Sequence, residues 1–495
     1  MKFLFFYLAI GISPSAFAEI IGIHSISTTS HSNRIEKCIL HRMPQVTYSK
    51  SDLEQETKFC EIDLYNQKYA MCAKTWSTSP GTIIYDIQDT GLTPPRAEDQ
   101  CRKLNSKILD GAKKVAKFKN TMNAEGTSGT YSQSSLIYYH FSRYFKTLTT
   151  VPVAVYRTID KDEHLQRVSL RATNTGKMGT QMKAGWKTLI TAETNPSSYQ
   201  PINELFTDDL TQIFGVLIRG KGQRYGSEVN GIRSQWGLPQ NIEFTQTAPF
   251  LALQSVSPLQ EAIEEGLKTA RKSAKQNKDL SLFVSHEQMV FWMTELTEIT
   301  LLDHIFSQQD RIGNIDYRWY WFYIKNGNLK NKREKHLKDH RGNELPRNQV
   351  NFSSISPPEE IADFHPVLIQ KTQLNDNDAA VRKYKNNDNS PYVNYTRKAK
   401  MLEKIKRYPV SLYKKLIQLN TDFENQGPLF QWLNESFALN PLYVESAQYF
   451  TKEATNLLQK KCELGELVFD LNPLEFLSTG STNPLKLNCL TGEEL

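Results

Sequence analysis

Two short polar segments carry residue types from which a metal–phosphate centre can be built. The first contains Asp310 and Asn314, and the second is a run of Asn-Asp-Asn-Asp that includes Asp376. Phosphoryl transfer requires a carboxylate that orients the attacking hydroxyl and oxygen ligands that hold Mg²⁺. Asp, Asn and Gly are also common in plain turns, so each segment alone has a purely structural interpretation. The order of the two segments along the chain favours the interpretation as a metal–phosphate centre.

The elements predicted around these segments would bring them together. Apolar positions at helical spacing predict a helix over His286–Phe306, which ends just before Asp310. Strands are predicted at Tyr317–Lys325 and Val367–Leu374, and the second strand ends just before Asp376. If these strands pair side by side, both acidic segments lie at one end of a hairpin, within reach of one metal–phosphate centre.

A lysine that holds nucleotide phosphates is also needed, and it normally comes from an N-terminal strand. Residues 113–119 predict such a strand, followed by a Gly- and Ser-rich loop, a helix over Ser134–Phe145 and a strand over Val151–Arg157. Lys119 ends the first strand. Strand alternation places three lysines on one face, so most of them are expected to be solvated: Lys113, Lys117 and Lys119.

Three short motifs resemble those of the atypical kinases related to phosphatidylinositol 4-kinase type II. The "FKP" strand of that superfamily resembles AKFKN at 116–120, its "DRxxxN" catalytic loop resembles QDRIGN at 309–314, and its "DNG" metal-binding turn resembles LNDND at 374–378. HipA-type kinases and the secreted Golgi casein-kinase-like family share this general plan. The resemblance spans roughly residues 110–385.

The resemblance implies an α+β, two-lobed kinase-like fold with a β-rich N-lobe and a helical C-lobe. ATP and Mg²⁺ or Mn²⁺ would bind between the lobes. Asp310 would be the catalytic base and Asp376 a metal ligand, with Asn314 as a second ligand. Lys119 would bind the nucleotide phosphates, with Lys117 beside it. The implied activity is transfer of phosphate from ATP to a protein or lipid hydroxyl.

Two departures from the kinase pattern leave alternatives open. Four positions separate Asp310 from Asn314, whereas many kinases separate this pair by five, so Asp316 is an alternative metal ligand. The helix after the lysine has Gln133 where a glutamate is usual, and Glu125 in the preceding loop is the nearest candidate partner for Lys119. A second function is therefore a catalytically inactive kinase-like scaffold that binds a partner.

The N-terminus predicts export. A lysine after Met1, the apolar run Phe3–Ile12 and small residues at Ala16 and Ala18 are typical of a signal peptide cleaved after Ala18. No later run of 18 apolar residues occurs, so no transmembrane segment is expected after cleavage. The bacterial type of signal predicts a periplasmic or secreted protein.

The six cysteines all follow the predicted signal peptide, and an even number in an oxidising compartment indicates disulfides. Four lie in the first hundred or so residues and two near the C-terminus. The simplest pairing gives two bridges in the N-terminal region and a third between Cys462 and Cys489. Other connectivities stay open, and the spacings do not match paired zinc knuckles.

Length and composition predict a large globular protein. The chain has 495 residues, 39% hydrophobic and 23% charged, and a formal charge of +7, which alone does not indicate nucleic-acid binding. We divide it into a signal peptide, a disulfide-containing region, an N-lobe-like β-rich region and a helical C-lobe, with the boundaries 1–18, 19–105, 106–255 and 256–495. Within the last region, residues 326–363 form a predicted mobile basic loop. This loop is either solvated or a surface for an acidic partner.

Two further segments have specific structural predictions. Glycines 220, 222 and 226 match neither a Walker loop nor GxGxxG, and residues 213–230 are predicted to be a hairpin turning at 220–222. The aromatic strand Tyr317–Lys325 has apolar residues on both faces. It therefore predicts a buried strand rather than a platform for stacked nucleic-acid bases.

Overall fold

The computed structural model describes most of the chain after the predicted signal peptide. The described residues are 22–27, 35–103, 111–173, 178–220, 222–232, 235–277, 284–335, 337, 355–379, 393–436 and 439–495. The predicted signal peptide of residues 1–18 lies outside them. No helix among the described residues is long and apolar enough to cross a membrane.

The first half of the chain builds a seven-stranded antiparallel sheet, called the large sheet, with strand order β1-β2-β6-β7-β5-β4-β3. Its strands are β1 (Gly22–Ser27), β2 (Ile35–Leu40), β3 (Tyr69–Ala73), β4 (Thr82–Asp86), β5 (Lys113–Asn120), β6 (Ala154–Asp160) and β7 (Gln212–Ile218). Residues before and after position 105 contribute strands to this sheet, since β4 pairs with β5. The lysine-bearing strand β5 is internal, because β7 pairs with its other edge.

A second antiparallel sheet, called the small sheet, forms in the second half of the chain. Its strands are β8 (Gln223–Arg224), β9 (Asp316–Lys325), β10 (Asn328–Arg333) and β11 (Val367–Gln373). Strand β9 pairs with β10 and β11, and β8 adds to the start of β9. Gln373 is opposite Asp316, so the loops before β9 and after β11 lie at the same end of the sheet, as the sequence predicts.

Helices pack on both sheets and make the protein α+β, as predicted. Those of seven residues or more within the described part are α1 (Lys50–Cys60), α2 (Pro94–Lys103), α3 (Ser132–Tyr144), α4 (Thr180–Thr194), α5 (Leu238–Phe244), α6 (Ala248–Gln254), α7 (Leu259–Asn277), α8 (His286–Ile305), α9 (Val410–Glu424), α10 (Pro441–Glu463) and α11 (Pro473–Thr479). Helix α8 is buried along nearly its whole length, because the small sheet and the surrounding helices enclose it. It ends at the loop that carries Asp310, so this loop projects from a rigid core.

Two sequence predictions about connections are wrong in part. Residues 213–230 do not form a hairpin, because β7 pairs with β5 and β6 while β8 pairs with β9 in the other sheet. The glycine-rich segment therefore links the two sheets. Residues 328–333 of the predicted basic loop form β10, whose backbone groups find partners on β9. Most of the rest of that loop lies outside the described residues. The aromatic strand is buried only in part: Tyr317 and Trp321 are almost fully enclosed, whereas Tyr320 and Tyr323 are half-buried.

Three disulfides tie helices and the C-terminal segment to the core, and the predicted local pairing is confirmed. Cys38 of β2 joins Cys60 at the end of α1, and Cys72 of β3 joins Cys101 of α2. Cys462 of α10 joins Cys489 in the C-terminal segment. No cysteine in the described residues is free.

Removing the C-terminal bridge is expected to destabilise the protein through its unfolded state. The bridge closes a loop with a sequence separation of 27 residues. Loop-closure entropy gives about 3.5 kcal/mol for a loop of this length. The double variant Cys462→Ala/Cys489→Ala should lose roughly this free energy of unfolding in urea titrations. An unchanged urea midpoint would show that the bridge does not constrain the unfolded chain.

A buried carboxyl group on α8 makes stability depend on pH. The amide and the hydroxyl of Thr372 donate to Glu295 at 2.9 and 2.6 Å. Burial raises the pKa of Glu295 from 4.5 to about 8, with Glu298 adding to the rise and Lys371 opposing it. Between these values the folded state binds more protons than the unfolded state, so stability should fall as pH rises from about 5 to 8. Glu295→Gln should flatten this dependence in urea titrations, and an unchanged slope would contradict it.

Candidate functional site

The lysine strand and the second acidic segment meet in a tight ion-pair cluster. The ammonium nitrogen of Lys119 lies 2.7 Å from Oδ1 of Asp376 and 3.0 Å from Oδ2 of Asp378. Lys119 and Asp376 are 257 positions apart in the chain. The Lys119 side chain is 2% exposed, whereas that of Asp376 is 40% exposed. The Lys119 side chain is therefore enclosed by protein, and the Asp376 carboxylate is accessible to solvent.

Helix α3 fixes the acidic turn from the other side. The Ser134 hydroxyl donates to the carbonyl of Asn377 at 2.6 Å, and the Tyr131 amide donates to the carbonyl of Asp378 at 2.8 Å. The Asn377 side chain donates to the carbonyl of Leu374 at 2.8 Å, which closes the turn on itself. The start of α3 and a hydrogen bond within the turn thus hold the turn that carries Asp376.

The loop of Asp310 is joined to the same turn by the residues on both sides of this aspartate. The amide of Gln309 donates to the carbonyl of Ala379 at 3.1 Å. The guanidinium of Arg311 donates to the carbonyl of Asp376 at 3.2 Å and to the side chain of Asn377 at 2.9 Å. Because its two neighbours in the chain contact this turn, the half-buried Asp310 lies in a loop beside the turn that carries Asp376.

Arg311 is itself anchored by a buried carboxylate at the end of α8. Its Nε and Nη2 donate to the two oxygens of Asp303 at 2.8 and 2.9 Å. The hydroxyl of Tyr138 on α3 donates to Asp303 at 2.7 Å. Arg311 consequently connects α8, the Asp310 loop and the Asp376 turn, and it sets their relative positions.

The two other predicted metal ligands face an arginine. The Arg224 guanidinium lies 2.7 Å from Oδ1 of Asp316 and 2.6 Å from Oδ1 of Asn314. The Asn375 side chain donates to the second Asp316 oxygen at 2.7 Å. Burial raises the pKa of Asp316, although Arg224 and Asn375 oppose the rise. These oxygens are engaged by protein donors, so they can bind a cation only if Arg224 moves.

Two glycines allow the linker between the sheets to approach these residues closely. A Cβ on Gly220 would lie 2.9 Å from Cβ of Asn375, and a Cβ on Gly222 would lie 2.9 Å from Cβ of Asp316. Both distances are too short for carbon atoms that are not bonded. Glycine is therefore required at these two positions because the chain segments pack closely. The sequence instead predicts that these glycines form the turn of a hairpin.

Two further lysines surround Lys119. Lys74 comes from the turn between β3 and β4, is buried, and donates to the carbonyl of Ser79 at 3.1 Å. Lys117 precedes Lys119 on β5. Burial and the charges of the neighbouring lysines lower the pKa values of Lys74 and Lys117, an effect that the aspartates partly oppose. Three lysine side chains are thus crowded at this end of the large sheet.

The charges of the cluster favour binding of an anion. Burial opposes the charged form of Lys119, but Asp376 and Asp378 raise its pKa above the ordinary value. Lys119, together with the other two lysines and despite burial, holds the pKa of Asp376 well below its usual range. A phosphate group bound beside Lys74 and Lys117 would stabilise their ammonium forms and so oppose the lowering of their pKa values.

The acidic pair fits only part of a metal site. Mg²⁺ is commonly held by one or two carboxylates together with substrate phosphates and water. Asp376 and Asp378 supply two carboxylates, but one oxygen of each already contacts the Lys119 ammonium, and the exposed side of Asp376 is where a further partner has room. Within the described residues, no group of three or more His, Cys, Asp or Glu side chains is arranged to hold a metal ion by itself.

The sequence does not predict the contributions of Asp378 and Lys74 to this site, whereas it does offer Arg224 as a candidate contact of phosphate or an acidic partner. Asp378 shares Lys119 with Asp376, whereas the proposed partner Glu125 is exposed. Lys74 reaches the site from the turn after β3 and Arg224 from the short strand β8, and neither lies in a recognisable motif. The sequence offers one signal for Lys74. This residue directly follows β3 and precedes a turn rich in Ser, Thr, Pro and Gly.

Comparisons with known proteins do not assign the chain to a family. No family model matches the chain, and no curated protein or solved structure matches it. The class of protein therefore has to be argued from the site itself, which joins a buried lysine, an accessible aspartate and a second acidic loop.

Proposed function

We propose that this protein is an atypical kinase that transfers phosphate from ATP to a protein or lipid hydroxyl. The observation that carries the proposal is the contact of Lys119 with Asp376, made beside the loop of Asp310. The three residues come from an internal strand, from the end of a second strand and from the end of a buried helix. Kinase chemistry requires a phosphate-binding lysine, a metal-binding aspartate and a catalytic aspartate in that proximity.

Each residue has a defined role in the proposed reaction. Lys119 and Lys117, with Lys74 beside them, bind and orient the nucleotide phosphates. Asp376 and Asp378 would hold Mg²⁺ or Mn²⁺, which when bound neutralises charge on the phosphates. Asp310 orients the acceptor hydroxyl and accepts its proton. Arg311 fixes the position of the Asp310 loop relative to the Asp376 turn.

The proposed location is the periplasm or the outside of the cell. The predicted signal peptide and the three disulfides support an oxidising compartment. The acceptor would be encountered there, and its hydroxyl would approach the exposed side of Asp376. The two-lobed kinase-like architecture, with the large sheet as the N-lobe and α8 in the C-lobe, is part of the same proposal.

Transfer of labelled phosphate tests the activity directly. The purified protein is incubated with γ-labelled ATP, Mg²⁺ or Mn²⁺, and three acceptors: the protein itself, casein, and phosphatidylinositol vesicles. Metal-dependent label in an acceptor that the Asp310→Asn variant fails to produce supports the kinase. Label that persists equally in this variant would point to a contaminating activity and contradict the assignment of Asp310.

A nucleotide-independent scaffold is the second candidate, and the position of Arg224 favours it. This guanidinium engages Asn314 and Asp316, where kinases place metal ligands. Gln133 on α3 contacts Tyr131 and Tyr156, whereas Lys119 pairs with Asp376 and Asp378. Such a scaffold would bind an acidic partner through the basic segment that begins with β10. Thermal stabilisation by ATP with Mg²⁺ separates the candidates, because only the kinase should show it.

A further inference from the structure

A cavity lies apart from the lysine–aspartate cluster. Its volume is about 570 Å³, within the range of about 300–1,000 Å³ that is typical of small-molecule sites. It is lined by the segment after α3, by α8, by β10 and β11, by the start of α9 and by the segment that leads into α11. The residues of the proposed active site are not among those that line it.

The three carboxylates that line this cavity all have donors in the protein. Glu298 accepts hydrogen bonds from the amides of Leu148 and Thr149 at 2.7 and 2.8 Å. Asp470 pairs with the buried guanidinium of Arg407. The remaining one, Glu475, accepts from the amide of Asn483 at 3.1 Å and from the side chain of Asn472 at 3.3 Å.

The three lysines that line the same cavity are not matched in this way. Lys146, Lys371 and Lys414 form no ion pair with any carboxylate in the described part of the chain. The ammonium of Lys371 faces the rings of Tyr320 and Phe322, at 5.6 and 5.9 Å from their centres. Burial lowers the pKa of Lys371, although Glu295 and Glu298 oppose the shift. An anion in the cavity would stabilise its charged form.

The rest of the wall is largely apolar. Leucine side chains from four segments face the cavity and are only half-buried: Leu148, Leu329, Leu474 and Leu485. Fully buried apolar residues, among them Phe145 and Leu412, form its inner side. A ligand that covered the leucines would remove their apolar surface from water and gain hydrophobic stabilisation.

We propose that this cavity binds an anionic amphiphile, a molecule with one carboxylate or phosphate head group and an alkyl body. The unmatched lysines bind the head group, and the half-buried leucines cover the alkyl chain. Lys371 is the central contact, because it is the lysine that projects from the small sheet between the apolar walls. The proposal does not depend on nucleotide binding or on kinase activity.

Calorimetric titration with four related probes tests this assignment. Decanoate and decyl phosphate carry the two head groups, decanol lacks the charge, and acetate lacks the chain. We expect decanoate, decyl phosphate or both to bind at least about tenfold more tightly than decanol and acetate, because hydrogen bonds to charged groups contribute at this scale. The tighter of the two anions identifies the head group.

Lysine variants locate the bound probe. Lys371→Met keeps the length and apolar stem of the side chain and should weaken binding of the preferred anion at least about tenfold. Lys330→Met, at an exposed position on β10 outside the cavity, is the matched control and should leave binding unchanged. If Lys371→Met fails to fold, Lys146→Ala/Lys414→Ala should show the same weakening. Equal binding of decanol, no effect of the cavity variants, or no binding of either anion would overturn the proposal.

Discussion

Replacing Asp310 by asparagine should reduce phosphoryl transfer about a thousandfold while nucleotide binding persists. Asparagine keeps the size of the side chain but cannot accept the proton of the acceptor hydroxyl. A positioned general base typically contributes about 10²- to 10⁴-fold to the rate. The change leaves the proposed phosphate-binding lysines and Asp376 in place. Turnover should therefore fall with little change in the dissociation constant of the nucleotide, measured by steady-state kinetics and by calorimetry.

The control for this variant is Asp162→Asn, which makes the same chemical change at an exposed aspartate far from the loop in sequence. It should retain full turnover. If Asp310→Asn keeps the wild-type rate, Asp310 is not the base. If it loses nucleotide binding together with turnover, Asp310 supports the binding site and does not act on the acceptor.

Removing the Arg311 guanidinium should cause a large loss of stability. Arg311→Met would leave Asp303 as a buried carboxylate without its cationic partner, since both groups are almost fully enclosed. Breaking one side of a buried pair costs about 3–5 kcal/mol. The same change also removes the donors to the Asp376 carbonyl and to the Asn377 side chain. Urea unfolding should report the loss as a lower midpoint.

A double-mutant cycle separates this buried pair from general damage to the fold. Asp303→Asn removes the buried charge, so Arg311→Met should cost less in that background than in the wild type. Additive losses would show that the two side chains do not stabilise each other. If Arg311→Met cannot be purified, Arg311→Lys provides a milder test, because lysine keeps the charge but cannot make the bidentate contact.

The parts of the site that could be predicted depend on local patterns. The helix before Asp310, the aromatic strand after it and the strand before Asp376 are each rich in apolar residues and bounded by polar segments. Pairing those two strands was enough to place both loops at one end of the small sheet, where the structure has them. The clustering of the cysteines predicts two bridges in the N-terminal region but does not say which of the four cysteines pair, and the structure pairs Cys38 with Cys60 and Cys72 with Cys101.

The parts that could not be predicted depend on contacts between distant segments. Alternation correctly grouped Lys117 and Lys119, but it indicated solvated lysines, whereas β7 and the acidic turn bury Lys119. Lys74 comes from a turn and Arg224 from a two-residue strand, and neither segment has a periodic signal in the sequence. The hairpin prediction for residues 213–230 was wrong because β7 finds two partners in the large sheet. Sequence alone gives no indication of that preference.

Calorimetric titration of a non-hydrolysable ATP analogue, with and without Mg²⁺, tests the central claim most directly. Asp376→Asn serves as the comparison, because it removes the charge of the proposed metal ligand and keeps its size. We predict Mg²⁺-dependent binding to the wild type that weakens at least about tenfold in Asp376→Asn. No detectable binding to the wild type, or identical binding to both proteins, would contradict the assignment of Lys119 and Asp376 to a nucleotide site.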